Sequence, residues 1–247
     1  MKKTLIILLI SLANFAQENP LKYVDFYDIE DINFDVFDTP QYQKFYNKSF
    51  DEEMFFKYYF KVWNEEQSIS ENDFNEFFNY DDVVKKSPCI AENYNELSEK
   101  NILEIKNNLP NLTEKDIKIE YGLTLKTVNL RRFPTTEFCF KNVRNAGEGY
   151  PFDYFQYSTL WIASPVAILT KTKDNLWYFI NSQNNKGWVK SEDIVVLNKQ
   201  QIKKFQKMNF ATPTEDKIIL KGKSKSYKVF IGSLLPLVSG KLLLPNK

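Results

Sequence analysis

Pro165-Val166-Ala167-Ile168-Leu169-Thr170-Lys171-Thr172-Lys173-Asp174-Asn175-Leu176-Trp177-Tyr178-Phe179-Ile180-Asn181 holds two apolar runs around a polar turn. Short runs rich in β-branched and aromatic residues are strand signals, and Lys171–Asn175 has the length and chemistry of a hairpin turn. Downstream, Asn184-Asn185-Lys186-Gly187 is a second tight turn. It leads into Trp188-Val189-Lys190, a single helical turn at Ser191-Glu192-Asp193, and a strand at Ile194-Val195-Val196-Leu197. Upstream, Ile117, Ile119 and Tyr121 alternate with charged residues, and Leu123, Leu125 and Thr127 continue the period of 2. Val128 to Pro134 follows and ends at its proline, and a long polar stretch, Thr135 to Tyr150, separates it from the hairpins.

Five short strands, one long loop, two tight hairpins and a Gly-Trp-Val near the close predict a mainly β fold. They describe a small SH3-like barrel over residues 117–198, which manages its edges by partial closure. Residues 199–216 read as a linker. Ile218-Ile219-Leu220, Tyr227 to Ile231 and Leu242 to Leu244 read as strands of a partial, incomplete second barrel over 217–247. Residues 21–116 form an aromatic-rich, partly helical segment. In it Phe55-Phe56-Lys57-Tyr58-Tyr59-Phe60 keeps no strict period, so the segment is expected to wrap over a neighbouring domain rather than bury its rings alone. Helix starts are predicted at Asp51-Glu52-Glu53, where acids suit the first turn, and at Ser70-Glu71-Asn72-Asp73. A third helix is predicted over 92–109, with Ser98 as a cap, Pro110 as a limit, and Ile102, Leu103, Ile105 and Leu109 as its apolar positions. Thr113-Glu114-Lys115-Asp116 resembles a capping box.

Met1-Lys2-Lys3, an apolar run from Thr4 to Ala13 and small residues at its end predict a secretory signal peptide over residues 1–16. The run is shorter than the roughly 20 residues that span a bilayer. No stable membrane span is expected after cleavage, and the expected localisation is export to the periplasm or cell envelope. The net charge of +1 conceals an asymmetry: residues 21–86 hold 16 acids against 7 Lys, and residues 199–247 hold 11 Lys against 2 acids. Such blocks are solvated surface in the first instance. No Arg-rich stripe or recognition motif accompanies the basic end, so no nucleic-acid partner is expected. Cys89 and Cys139 are the chain's 2 cysteines. An oxidising compartment permits them to pair, and the alternative is two small buried hydrophobes.

The stretch Thr127 to Thr135, the loop Phe152-Asp153-Tyr154-Phe155-Gln156-Tyr157-Ser158-Thr159-Leu160-Trp161 and the closing Gly187-Trp188-Val189 resemble the first bacterial SH3-like (SH3b) domain of the NlpC-type cell-wall cysteine peptidases. Phe60-Lys61-Val62-Trp63-Asn64 and Ala91-Glu92-Asn93-Tyr94 resemble the N-terminal stabilising segment that precedes it in that family. The resemblance covers roughly residues 25–245. It implies a stabilising segment and two SH3-like barrels that accompany a papain-like domain cutting between D-glutamate and a diamino acid in peptidoglycan.

That cleavage needs a thiolate activated by an imidazole. The chain has no His, and neither cysteine stands in the family's nucleophile context, so it is not expected to be an enzyme. Carboxylate pairs such as Glu52-Glu53 and Glu65-Glu66 read as solvated. Without His, two cysteines make no closed zinc site, and no Gly-rich phosphate loop appears, so no metal or cofactor is expected. The resemblance implies a recognition role in which the first SH3-like domain lines the substrate cleft and reads the free N-terminus of the stem peptide. There a carboxylate would pair with an ammonium and aromatic edges would exclude water. The candidate ligand-binding residues are Asp153, Tyr154, Gln156, Tyr157 and Ser158. Alternation places Asp153, Phe155 and Tyr157 on one side and Tyr154, Gln156 and Ser158 on the other; the rival expectation is that the loop only packs. The expected partner is a peptidoglycan stem peptide or a separately encoded catalytic domain, the latter docking on the open edge of Tyr227 to Ile231.

Overall fold

The computed structural model describes residues 51–84, 88–112, 118–221 and 226–246, together with the backbone of 5–8. Leu5–Leu8 (β1), part of the expected signal peptide, is a strand; the rest of that peptide, residues 21–50 and the expected capping box at Thr113 lie outside the described residues.

The N-terminal segment is helical where its caps predict. Asp51 accepts a hydrogen bond from the Met54 N–H at 2.9 Å and opens Glu52–Tyr59 (α1), which continues into Lys61–Asn64 (α2). Ser70 and Asp73 close a reciprocal capping box at the start of Glu71–Phe77 (α3), followed by Tyr80–Val84 (α4). Each box satisfies donors that the first turn leaves without helical acceptors. Glu99–Asn108 (α5) is capped by Ser98, seven residues after the predicted start. The delay has a local cause: Ala91 and Asn95 close a turn with Tyr94 at a φ of 63°. Ile105 and Leu109 are buried as expected, whereas Leu103 stands exposed.

The barrel is a seven-stranded antiparallel sheet in the order β4-β3-β7-β6-β5-β2-β8, and the fold is mainly β as its sequence predicts. Its strands are Glu120–Thr124 (β2), Val128–Arg131 (β3), Gln156–Leu160 (β4), Pro165–Lys171 (β5), Trp177–Asn181 (β6), Lys186–Lys190 (β7) and Ile194–Leu197 (β8). A 3₁₀ turn at Ser191–Asp193 joins the last two. β4 lies inside what reads from sequence as a loop; its alternation of polar and aromatic residues is hidden by Gln, Ser and Thr on the exposed sheet edge. The apolar run of β5 is buried on both faces. Val166 and Ile168 fill the barrel with Val128, Leu130, Ile180, Val189 and Ile194, while Ala167 and Leu169 face the helices. A strand covered on both sides loses its period-2 alternation. At Gly187 a Cβ would sit 2.7 Å from Leu130 Cγ and 2.9 Å from the Arg131 carbonyl oxygen, so β3 and β7 approach only because the side chain is missing.

The helices lay an aromatic sheet over the outer face of the barrel. Phe56, Phe60, Trp63, Phe77 and Phe78 pack with Phe179 and Trp188, and the two buried indoles find carbonyl acceptors across the interface. Trp63 Nε1 donates to the Val166 oxygen at 3.1 Å, and Trp188 Nε1 donates to the Phe77 oxygen at 3.0 Å.

The predicted linker is structured. Asn198 and Gln201 form a capping box at Lys199–Phe205 (α6), and Asn209–Pro213 (β9) follows. Ile202, Phe205 and Phe210 enter the same aromatic core, which is why this polar stretch is ordered. Lys217–Lys221 (β10) pairs with Ser226–Phe230 (β11) as a hairpin, and Leu235–Val238 (β12) pairs with β9 and with Lys241–Leu242 (β13). β1 runs parallel to β9, Leu5 opposite Phe210. No helix among the described residues is long and apolar enough to cross a membrane.

Candidate ligand-binding site

The two halves of the candidate segment have different surroundings. Asp153 turns inward. Its carboxylate pairs with the Arg131 guanidinium, both side chains more than nine-tenths buried, and accepts the N–H groups of Cys139 at 3.0 Å and Phe155 at 2.9 Å. Arg131 also donates to the carbonyl oxygens of Thr135, at 3.1 Å, and Glu137. This carboxylate is saturated by the protein and ties the long loop to β3; it is not presented to a ligand ammonium. The expected alternation therefore begins only at Gln156, where the chain enters β4, because Tyr150 to Phe155 forms turns.

Cys89 and Cys139 are joined by a disulfide, with their Cα atoms 4.6 Å apart. Just beyond it the backbone is cross-paired: Ile90 and Phe140, the residues that follow the two cysteines, exchange N–H···O bonds of 2.9 and 2.8 Å. The long loop is thus fixed at its root by an ion pair and at its middle by a covalent link to the N-terminal segment.

The other candidates point outward. The Tyr154 ring is exposed, with Lys141 Nζ 5.0 Å from its centre. Burial, and then the nearby Arg132 charge, hold the Lys141 ammonium below the ordinary lysine range, against the opposing pull of Glu148. Gln156 donates to the Ser158 carbonyl oxygen, and the Ser158 hydroxyl accepts from Asn185 Nδ2 at 3.4 Å. Tyr157 rests edge-on against Phe77, ring centres 5.1 Å apart, with the Arg132 guanidinium 5.7 Å above its ring. Burial, followed by the Glu76 carboxylate, raises the Tyr157 phenol above its ordinary value, and Arg132 opposes this.

Tyr157 opens onto a depression of about 360 Å³ between α2, α3 and the turn from β6 to β7. Its charged lining is Lys61, Glu65, Glu66, Asp73, Glu76 and Lys186, four carboxylates against two ammonium groups, and amides supply most of the rest. Asp73 Oδ2 accepts from Lys186 Nζ at 2.5 Å and from the Ser70 N–H and hydroxyl at 2.7 Å each. Burial raises the Asp73 carboxyl, but the hydrogen bonds from Lys186 and Ser70 outweigh it and hold the group below the ordinary carboxylate value. Arg132 Nη2 meets Glu76 Oε1 at 2.9 Å. Glu65 and Glu66 stand exposed at the rim. Such a concavity suits a small cationic or zwitterionic ligand whose amide groups bond to the lining.

Sequence reasoning did not reach Asp73, Glu76, Arg132 or Lys186. The Ser70–Asp73 cap was legible as a helix start, but its second use as an anchor for Lys186 joins residues far apart in the chain.

Residues 139–190 match the family model of an SH3 domain of the SH3b1 type. No curated protein sequence matches the chain. Among solved structures, the fold is similar to that of an NlpC/P60 endopeptidase from Photobacterium damselae subsp. piscicida, with a TM-score of 0.66 and 25% identity. The match covers 78% of this chain and 46% of that one, so the chain spans less than half the length of that peptidase. The disulfide-anchored loop, β4 and the two hairpins thus lie in the stretch that matches an SH3b1-type domain, and the chain as a whole is similar in fold to part of that NlpC/P60 endopeptidase.

Proposed function

We propose that the chain is a non-catalytic cell-wall module that binds or positions the stem peptide of peptidoglycan, with the free N-terminus of the peptide in the acidic depression beside Tyr157. The observation that carries this reading is the set of four carboxylates, Glu65, Glu66, Asp73 and Glu76, that the helices before the barrel bring beside Tyr157 against the cations Lys61, Lys186 and Arg132, with Glu65 and Glu66 at the open rim. A role for the chain as its own peptidase is opposed by its chemistry: both of its cysteines are consumed in one disulfide and it has no His, so it holds neither thiolate nor imidazole. Export to the periplasm or envelope is supported by the charged-then-apolar N-terminus and by the disulfide, which persists in oxidising compartments.

The test is calorimetric titration of the full chain with a stem tripeptide bearing a free amino terminus and with its N-acetylated form. The free peptide is expected to bind, with affinity falling about tenfold or more on acetylation and in Tyr157→Ala and Glu65→Gln/Glu66→Gln variants. Equal affinity for both peptides, or binding indifferent to these substitutions, removes the assignment.

A further inference from the structure

The face of the β6–β7 hairpin that the helices cover has three cross-strand pairs: Trp177 with Lys190, Phe179 with Trp188, and Asn181 with Lys186. Phe77 and Phe78 at the end of α3 seal the central pair. Both ends are left open. The Asn181–Lys186 end opens into the acidic depression, and the Trp177–Lys190 end, about 13 Å away along the strand, opens into a separate groove of about 820 Å³ between α5 and the barrel.

This groove has the composition of a sugar subsite. Trp177 supplies an aromatic ring that is partly exposed, and the neighbouring Leu176 is 62% exposed. The Trp177 indole N–H, unlike those of Trp63 and Trp188, meets no acceptor among the described residues. Around it, the side-chain amides of Asn101 and Asn107 and the hydroxyl of Thr136 make no hydrogen bond among the described residues, and Glu104 stands exposed on the same wall. A pyranose presents a face of C–H groups to an aromatic plane and a rim of hydroxyls to amides, carboxylates and other hydrogen-bonding groups. A ring with an unused N–H, flanked by short amides and by the carboxylates of Glu104, Glu137, Asp174 and Glu192 with Lys190 among them, supplies the plane and both kinds of polar partner for such a rim.

We propose that this groove binds a neutral oligosaccharide of N-acetylated hexosamines, stacking one ring on Trp177. The choice of sugar rests on the cell-wall reading above, since such a glycan carries the stem peptides; the groove itself is distinct from the Tyr157 depression. The probe is tri-N-acetylchitotriose, which has no peptide, titrated into the full chain by calorimetry and by tryptophan fluorescence. Binding is expected, and it is expected to weaken about tenfold or more in Trp177→Ala and in Thr136→Arg. Thr136 is exposed, so its substitution blocks the groove without touching the core. No response at millimolar chitotriose overturns the proposal, as does full affinity in Thr136→Arg, or displacement of the sugar by the sugar-free stem peptide. Chitotriose binding that Thr136→Arg abolishes, in a protein that ignores the stem peptide, sustains this site while removing the peptide reading.

Discussion

Single side chains in this protein divide into those that hold the loop and those that face outward, and Asp153 shows why the two are confused in a sequence. A carboxylate among aromatic residues has the composition of a recognition loop, and nothing local reveals that Arg131, 22 residues earlier, neutralises it in the interior. Breaking a buried pair leaves the partner charge unpaired, which costs about 3–5 kcal/mol. Asp153→Asn is therefore expected to lower the stability measured by urea unfolding by that amount and to loosen the long loop; an unchanged midpoint would show that the pair contributes nothing. Any loss of ligand affinity in this variant reports the loop's collapse, so Tyr157 is the proper probe of contact. Asp73 contributes to the pH dependence, as does Asp174, whose burial is outweighed by hydrogen bonds from Thr172, Leu176 and Asn108 that also hold it below the ordinary carboxylate value. The folded Asp73 carboxyl is held below the ordinary value of about 4, so the unfolded chain binds a proton more readily. The stabilisation is accordingly complete above the unfolded pKa and is lost as pH falls through the lowered folded one. Thermal unfolding of Lys186→Met is expected to show a shallower decline in Tm between about pH 5 and pH 3 than the parent; parallel curves would remove the ion pair from the account.

Elements were legible wherever a cap or a turn is a local device. Asp51, Ser70 and Ser98 each open the helix that their side chains predict, and both tight hairpins fall where Asn, Asp and Gly punctuate the apolar runs. The strand β4 and the helix α6 were not legible, for opposite reasons. β4 lies at the sheet edge with half its residues in water, so its run is polar; α6 is short and rich in Lys and Gln, and its two buried residues, Ile202 and Phe205, are too few to set a period. The disulfide belongs to this scale, because it staples the segment before α5 to the loop between β3 and β4. Cross-linking across a separation of 50 residues is worth about 4 kcal/mol in the chain-entropy model. Reduction with a thiol, or Cys89→Ser/Cys139→Ser, is expected to lower stability by about that much and to open the stretch 141–150 to proteolysis first. Retained protection of that stretch after reduction would mean that the Arg131–Asp153 pair alone is sufficient to fix it.

At the scale of the whole molecule, one set of rings joins the N-terminal segment, the barrel and the second unit, while the barrel interior and the second unit each keep an apolar cluster of their own. The sequence shows that the segment before the barrel cannot bury its aromatics unaided, and the structure supplies the covering surface, Phe179 and Trp188 on one side and Phe205 and Phe210 on the other. The sequence does not show that residues 199–216 close this cluster, since in that stretch two phenylalanines are separated by mostly polar residues and their partners are some 150 positions upstream. Phe210 is fully buried, with ring centres 5.4 Å from Phe56, 5.9 Å from Phe60 and 5.2 Å from Phe205. Removing such a ring costs about 3–5 kcal/mol through lost transfer energy and the cavity left behind. Because the cavity would open between the helices and the second unit, Phe210→Ala is expected to shift the unfolding of the barrel as well. Tryptophan fluorescence, to which the buried Trp63 and Trp188 contribute, and far-ultraviolet circular dichroism should move together to a lower denaturant concentration in one transition. If the fluorescence transition keeps its midpoint while a separate early transition appears by dichroism, the second unit folds on its own, and the shared aromatic core does not couple it to the SH3b domain.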